Sequence, residues 1–316
     1  MRSEWWAGGS EQAIGLYCWF SGGIAVTRGL LVGVFLVSHP SLLPAIGNAQ
    51  GKQVSPAEQI AVLKVEYDRV PGGRAIASDA ERLEYIGRVY RHHQAVGEKL
   101  VALAEAHPRD PVALDALTLA VWQVNTTPWP VDMVGEDAAR PRAFAIIERD
   151  HIQSDKLGPL CQRVSYGFCR EYEAFLRAVV AKNPNRQVQA TARLSLAQFL
   201  CNRMYRVDLC KEMPELADEF VALYGKEYYA ELKRQDRDAV EREIESRFET
   251  TAKELGDVRL AGGTVAELAT VQLNHFRTLQ VGKEAPEIEG IDQQGAKFKL
   301  SAYRGKAVLL DFWSYV

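Results

Sequence analysis

Residues 307–316 read Ala-Val-Leu-Leu-Asp-Phe-Trp-Ser-Tyr-Val, and this stretch carries the strongest fold signal in the chain. From Val308 to Trp313 the run is apolar except for Asp311. Short apolar runs of this kind are typical of strands that are buried on both faces of an α/β sheet. The run therefore predicts a buried strand at residues 308–313.

The residues immediately before this run predict a hairpin and a short helix. Residues 288–291 have the character of a short strand, and residues 292–295 read Asp-Gln-Gln-Gly, a turn in which Gly295 can adopt a positive φ. Residues 297–300 alternate Lys, Phe, Lys and Leu, which indicates a half-buried strand. Ser301 is predicted to cap a one-turn helix that ends at Gly305.

Four motifs follow one another in this region. They are Val281-Gly282-x-x-Ala285-Pro286, Asp292-x-x-Gly295, Leu300-Ser301-x-Tyr303-Arg304-Gly305-Lys306 and Val308-Leu309-Leu310-x-Phe312-Trp313. Together they resemble the start of the exported TlpA-like thiol-disulfide oxidoreductases, which belong to the thioredoxin-like AhpC/TSA (redoxin) superfamily. Ala302 departs from the acidic residue usual in the third motif, a surface change with little consequence. The resemblance covers residues 281–316.

The resemblance implies a thioredoxin-like fold with oxidoreductase or antioxidant activity, no cofactor, and the thiols or disulfides of proteins as partners. In this family Phe-Trp is followed by three residues and then by Cys-x-x-Cys. Ser314, Tyr315 and Val316 fill the three positions, so the first catalytic cysteine would follow Val316. That cysteine would sit at a helix N-terminus, where its thiolate is stabilised and attacks a substrate disulfide.

The same resemblance implies two residues near the catalytic position. Trp313 would pack beside it, and Asp311 would be the buried carboxylate that some relatives use in proton transfer. A peroxiredoxin-like enzyme remains the alternative, although Phe-Trp-Ser at residues 312–314 favours the disulfide oxidoreductase. Residues 281–316 alone lack most of a thioredoxin-like sheet and its covering helices, so they are expected to be poorly ordered or to lie against the rest of the chain.

The region before this segment is predicted to be helical, a helical bundle or an irregular α-solenoid over residues 50–280. Ser55-Pro56 marks the first helix start. Further helices are expected over residues 78–106, 108–124, 142–152, 157–182, 187–205, 213–232, 236–255 and 264–279. Residues 104–112 and 180–188 resemble each other, because in both a helix ends at His-Pro or Asn-Pro and Val opens the next helix.

The N-terminal part predicts export to the periplasm or cell envelope. Residues 26–49 resemble a secretory signal peptide, with Arg28, an apolar stretch at residues 29–37, and Gly47-Asn48-Ala49 before a cleavage position. The apolar stretch is too short for a stable membrane span. Residues 1–25 carry acidic residues and tryptophans ahead of Arg28, so they are interpreted as a possible gene-model extension, with translation starting near Val26.

The charge and the cysteine pattern of the chain argue against some classes of function. The net charge of −3 and pI of about 6.1 give no basic patch that would argue for nucleic-acid binding. The cysteines are Cys18, Cys161, Cys169, Cys201 and Cys210, and none forms Cys-x-x-Cys. Buried thiols are favoured, and a disulfide between helices or a metal site remains open. The His92-His93 and Asp150-His151 pairs are expected on solvated surfaces.

Two hypotheses for function follow from the sequence. The first is a truncated redoxin-type thiol-disulfide oxidoreductase, inactive as written because its catalytic cysteines would come later. The second is that the helical region is a repeat-like binding or scaffold module of the cell envelope. Neither hypothesis specifies a substrate or an oligomeric state.

Overall fold

The computed structural model of the chain describes residues 54–69, 79–122, 139–279 and 283–311. Within these ranges the chain is mainly α-helical, as predicted. The helices are α1 (Pro56–Asp68), α2 (Asp79–Ala106), α3 (Pro111–Trp122), α4 (Ala139–Ile146), α5 (Gly158–Val164), α6 (Arg170–Lys182), α7 (Arg186–Glu212), α8 (Pro214–Tyr224), α9 (Lys226–Arg234), α10 (Arg237–Leu255) and α11 (Val265–Thr278).

The described residues also form two short hairpins and two short helical turns. Two antiparallel hairpins are formed by β1 (Arg259–Leu260) with β2 (Gly263–Thr264), and by β3 (Glu289–Ile291) with β4 (Lys297–Lys299). A five-residue π-helical turn covers Ile147–His151, and a 3₁₀ turn covers Leu300–Tyr303.

The predicted start of α1 is confirmed in detail. The Ser55 hydroxyl oxygen accepts a hydrogen bond from the Glu58 backbone N–H at 3.3 Å. The Glu58 carboxylate accepts one from the Ser55 N–H at 2.8 Å. This reciprocal pair satisfies two backbone donors at the helix start, and Pro56 occupies a first-turn position that needs no N–H.

Two helices predicted as continuous are each divided in two. The helix expected over residues 157–182 is divided into α5 and α6, because the chain passes close to the ring of Tyr172 at Gly167. A Cβ there would lie 2.2 Å from Tyr172 Cε2. The helix expected over residues 213–232 is divided into α8 and α9 at Gly225, whose φ of 89° ends a helix. The helix expected over residues 142–152 is α-helical only to Ile146 and then becomes the π turn.

α7 is the central element of the helical region, since it packs against α5, α6, α8 and α10. The main apolar core extends from Ile60 in α1 to Leu273 in α11. A second cluster, which includes Phe220 and Tyr229, packs α8 and α9 against the end of α7. The resembling segments noted in the sequence form the α2–α3 and α6–α7 connections, with short loops at residues 107–110 and 183–185.

A chain of ion pairs ties α6, α7 and α10 together. Glu173 of α6 pairs with Arg203 of α7 and with Arg177 on its own helix. Arg177 also reaches Glu243 of α10 at 2.9 Å, and Arg247 reaches the same carboxylate at 2.5 Å. The Arg203 side chain is only 5% exposed, so its charge depends on Glu173 for compensation.

The chain divides into two compact units. The helical unit extends from Gln53 to Ala285, and residues 286–311 are the described part of the second. None of the described helices combines the length and apolar character needed to cross a membrane.

Candidate functional site

The second unit contains the hairpin and short helix predicted from the sequence. β3 and β4 pair with Ile291 opposite Lys297, and Gly295 in the intervening turn has a φ of 84°. The Asp292 carboxylate stabilises the turn by accepting hydrogen bonds from the N–H groups of Gln294 and Ala296 at 2.9 and 2.8 Å. The turn predicted at residues 292–295, with Gly295 at a positive φ, is therefore confirmed.

The role predicted for Ser301 is wrong. Ser301 lies inside the 3₁₀ turn, which has Lys299 as its N-cap and no side-chain cap. The backbone N–H of Ser301 instead donates to the Glu287 carboxylate at 2.9 Å. Hydrogen bonds from the side chain and then the backbone of Ser301 lower the pKa of that carboxyl group. A residue that precedes β3 thus takes over the capping that the local sequence assigned to Ser301.

The strand expected at residues 308–313 is not formed over its described part. Residues 307–311 adopt no regular secondary structure, and the side chains of Val308, Leu309 and Leu310 are exposed. A strand requires a neighbour for its backbone hydrogen bonds, and none of the described strands pairs with this segment. Asp311 is exposed rather than buried, and Trp313 lies outside the described residues.

The described cysteines are thiols rather than disulfide halves, as the favoured interpretation predicted. They are Cys161, Cys169, Cys201 and Cys210, whereas Cys18 lies outside the described residues. Burial raises the pKa of Cys161 to about 12 and that of Cys201 to about 12. Because the thiolate is the nucleophile, these two thiols are poorly suited to disulfide exchange at neutral pH.

The prediction that His92 and His93 lie on a solvated face is wrong. Both rings are half-buried against the end of α1. His92 Nε2 lies 2.8 Å from the Glu66 carbonyl oxygen, and His93 Nε2 lies 3.0 Å from that of Tyr67. The rings therefore donate to carbonyl groups in the last turn of α1, of which that of Glu66 also accepts from the Arg69 N–H at 3.2 Å. Burial lowers the pKa of His93, which favours the neutral ring, and the hydrogen bond to the Tyr67 carbonyl opposes this effect.

The expectation of a solvated surface holds for Asp150, which is exposed, whereas His151 is half-buried. Both residues line a cavity of about 710 Å³ that we call the α3 pocket. The loop before α3 contributes Arg109 and Asp110 to one side of this pocket. The π turn and the residues after it contribute the other side, including Lys156.

Hydrogen bonds fix the backbone around the α3 pocket. The Asp110 carboxylate accepts from the Val112 N–H at 2.9 Å at the start of α3. On the other side, the buried Asn183 side chain donates to the carbonyl oxygens of Ile152 and Ser154 at 2.7 and 2.8 Å. These bonds hold the two walls in defined positions, as expected of a preformed ligand site.

The charges in the α3 pocket are unevenly compensated. Arg149 and Asp150 form a two-contact ion pair, with Arg149 Nε at 2.8 Å from Oδ1 and Nη2 at 2.5 Å from Oδ2. This contact lowers the pKa of Asp150. Arg109 and Lys156 make no ion pair within the described ranges. The lining of the pocket contains three basic side chains, Arg109, Arg149 and Lys156, and two acidic ones, Asp110 and Asp150.

His151 lines the pocket and has a ring nitrogen that is buried away from it. Its Nε2 is buried and has no hydrogen-bond partner in the described part of the chain. Burial lowers the pKa of His151, with the nearby Asp150 carboxylate opposing that effect. The residue ends the π turn, a rare conformation that occurs often at functional sites.

The sequence did not single out this pocket. Arg109 belongs to the segment that resembles residues 180–188, and no sequence motif includes Lys156. The two residues are far apart in sequence and meet because α3 packs against the π turn. Among the described residues, no three His, Cys, Asp or Glu side chains are arranged to hold a metal ion.

Comparison with protein-family models, with curated proteins and with solved structures finds no match to this chain.

Proposed function

We propose that this chain is part of an exported redoxin-type thiol-disulfide oxidoreductase, in which the helical unit precedes the opening elements of a thioredoxin-like domain. The observation that supports this proposal most directly is the order of elements in residues 289–306. A hairpin with an Asp-x-x-Gly turn is followed at once by a one-turn helix, as the sequence resemblance implies.

In this proposal the thiol chemistry lies outside the helical unit. Cys161 and Cys201 have pKa values raised by burial, which disfavours their thiolates. A cysteine placed after Val316, at the start of a helix, would have its thiolate stabilised by free N–H groups. It would attack a protein disulfide, and the second cysteine of the pair would resolve the mixed disulfide.

The coding DNA downstream of the Val316 codon tests this proposal directly. We expect one of the three frames to encode Cys-x-x-Cys at once, followed by roughly a hundred residues of α/β pattern. Disulfide reduction by the longer product, abolished when the first cysteine is replaced by Ser, would complete the support. A stop codon with no such frame would reject the oxidoreductase proposal. Export is tested separately, since Edman sequencing of the mature protein should begin at Gln50.

A second candidate function is that the helical unit, a bundle or irregular solenoid, is a binding module. The α3 pocket favours it, because its volume of about 710 Å³ lies within the range of small-molecule sites and both of its walls are fixed by hydrogen bonds. A chemically diverse compound panel should contain members that raise the melting temperature of the chain and protect residues 107–114 and 147–156 from hydrogen exchange. If no compound in the panel did so, the binding-module proposal would fail.

A further inference from the structure

We infer that the α3 pocket binds a small organic oxyanion, a molecule that carries a carboxylate or phosphate group on a short apolar body. This inference rests on the proposal that the helical unit is a binding module, and it adds the chemical class of the ligand. It is independent of the redoxin proposal for residues 281–316.

The contacts of the acidic side chains disfavour a simple cation site. Asp110 already accepts a hydrogen bond from the first turn of α3, and Asp150 is held by two contacts from Arg149. Asp150 is therefore paired within the protein, and one oxygen of Asp110 is occupied by a backbone N–H. A cationic ligand would have to compete with these contacts and would also meet the three basic side chains of the lining.

The basic side chains have the opposite character. Arg109 and Lys156 reach the pocket from different loops, and neither has an ion-pair partner in the described part of the chain. The guanidinium group of an arginine can hold two oxygens of a carboxylate or phosphate, and the ammonium group of a lysine supplies a mobile point charge. Together they offer an oxyanion two charged donors without displacing an existing partner.

A change of the His151 rotamer would give the oxyanion a third donor. The buried ring nitrogen Nε2 has no hydrogen bond within the described residues, which costs free energy, and an imidazole turned toward the cavity would find an acceptor in the ligand. Changes of side-chain rotamer commonly accompany ligand binding. The ligand would thus remove an unfavourable feature that the protein carries when the pocket is empty of it.

The remaining wall explains why the ligand should have an apolar body. Pro108, Pro111 and Leu114 line the pocket beside the charged residues, and because Leu114 is almost fully buried the accessible apolar surface belongs mainly to the two prolines. A bare inorganic anion would leave this surface and most of the volume filled with water. An aromatic or short aliphatic group would cover it, and burial of apolar area would add to the affinity.

The experiment uses the full chain and four probes: phenyl phosphate, benzoate, inorganic phosphate and benzyl alcohol. Isothermal titration at fixed ionic strength should show binding of phenyl phosphate or benzoate, weaker binding of inorganic phosphate, and no binding of benzyl alcohol. The tighter of the first two identifies the preferred oxyanion. The ¹⁵N resonances of His151 should shift on binding, because its ring changes hydrogen-bond partner.

Matched variants then locate the site. Arg109→Gln and Lys156→Gln should each weaken binding by about tenfold, the effect of losing one charge-assisted hydrogen bond. Lys253→Gln removes an exposed lysine of α10 and should change the affinity by less than about twofold. Equal binding of benzyl alcohol, or equal effects of Lys156→Gln and Lys253→Gln, would overturn the inference.

The same experiments distinguish failure of the oxyanion inference from failure of the binding-module proposal. If neutral or cationic compounds protect residues 107–114 and 147–156 while the oxyanions do not, the module stands and the ligand class is wrong. If no compound of any class protects these residues, both proposals fail together. Circular dichroism and the melting temperature of each variant establish that a lost affinity does not reflect lost folding.

Discussion

Asn183 connects the end of α6 to the wall of the α3 pocket, and its replacement gives a quantitative test of the fold. The side chain is 4% exposed. Its amide nitrogen donates to the carbonyl oxygens of Ile152 and Ser154 at 2.7 and 2.8 Å, and its amide oxygen accepts from the Asn185 N–H at 2.9 Å. One side chain thus satisfies three backbone groups.

Asn183→Ala removes these three hydrogen bonds and leaves their backbone partners without them. At about 1 kcal/mol each, the loss lowers the free energy of unfolding by about 3 kcal/mol. For a domain of this size, that corresponds to a decrease in melting temperature of about 6–12 °C. Differential scanning calorimetry and urea unfolding of the full chain measure the two quantities.

Two further variants make this reasoning refutable. Asn185→Ala removes the cap of α7, whose oxygen accepts from the Gln187 and Val188 N–H groups, and should cost only about 1 kcal/mol. Asn183→Asp keeps the shape but turns a carboxylate oxygen toward two carbonyl oxygens, so it should destabilise at least as much as Asn183→Ala. A cost below about 1 kcal/mol for Asn183→Ala, or a smaller cost for Asn183→Asp, would show that this network does not hold the loop.

Three other predictions follow from buried polar groups. Arg203→Met leaves the Glu173 carboxylate short of a partner and should lower the free energy of unfolding by about 3 kcal/mol, whereas Arg186→Met, at an exposed ion pair, should cost less than about 0.5 kcal/mol in the same urea titration. Folding lowers the pKa of His93, so the unfolded chain binds more protons than the native chain. The free energy of unfolding should therefore fall as the pH decreases below about 6.5. His93→Gln should make this fall smaller when unfolding is measured as a function of pH. The Cys161 thiol should react with a disulfide reagent only after denaturation, and rapid labelling of the native chain would contradict its burial.

The sequence predicted correctly those structural elements that depend on residues close together in the chain. The Ser55 cap, the alternation of Lys and Phe before residue 300 and the Asp-x-x-Gly turn at residues 292–295 each depend on residues within about one turn of each other. The helical class of residues 54–69, 79–122 and 139–279 was therefore predicted well. Their breaks were predicted less well, since the close approach at Gly167 depends on the position of the Tyr172 ring.

The candidate site shows what only the tertiary structure decided. His92 and His93 are predicted to be solvated because their own helix face is polar. In the structure the end of α1 covers them and provides carbonyl acceptors. Arg109 and Lys156 are ordinary surface residues in sequence, and they line one cavity only because α3 packs against the π turn. Capping and periodicity are set by neighbours along the chain, whereas burial and uncompensated charge are set by all the groups that folding brings together.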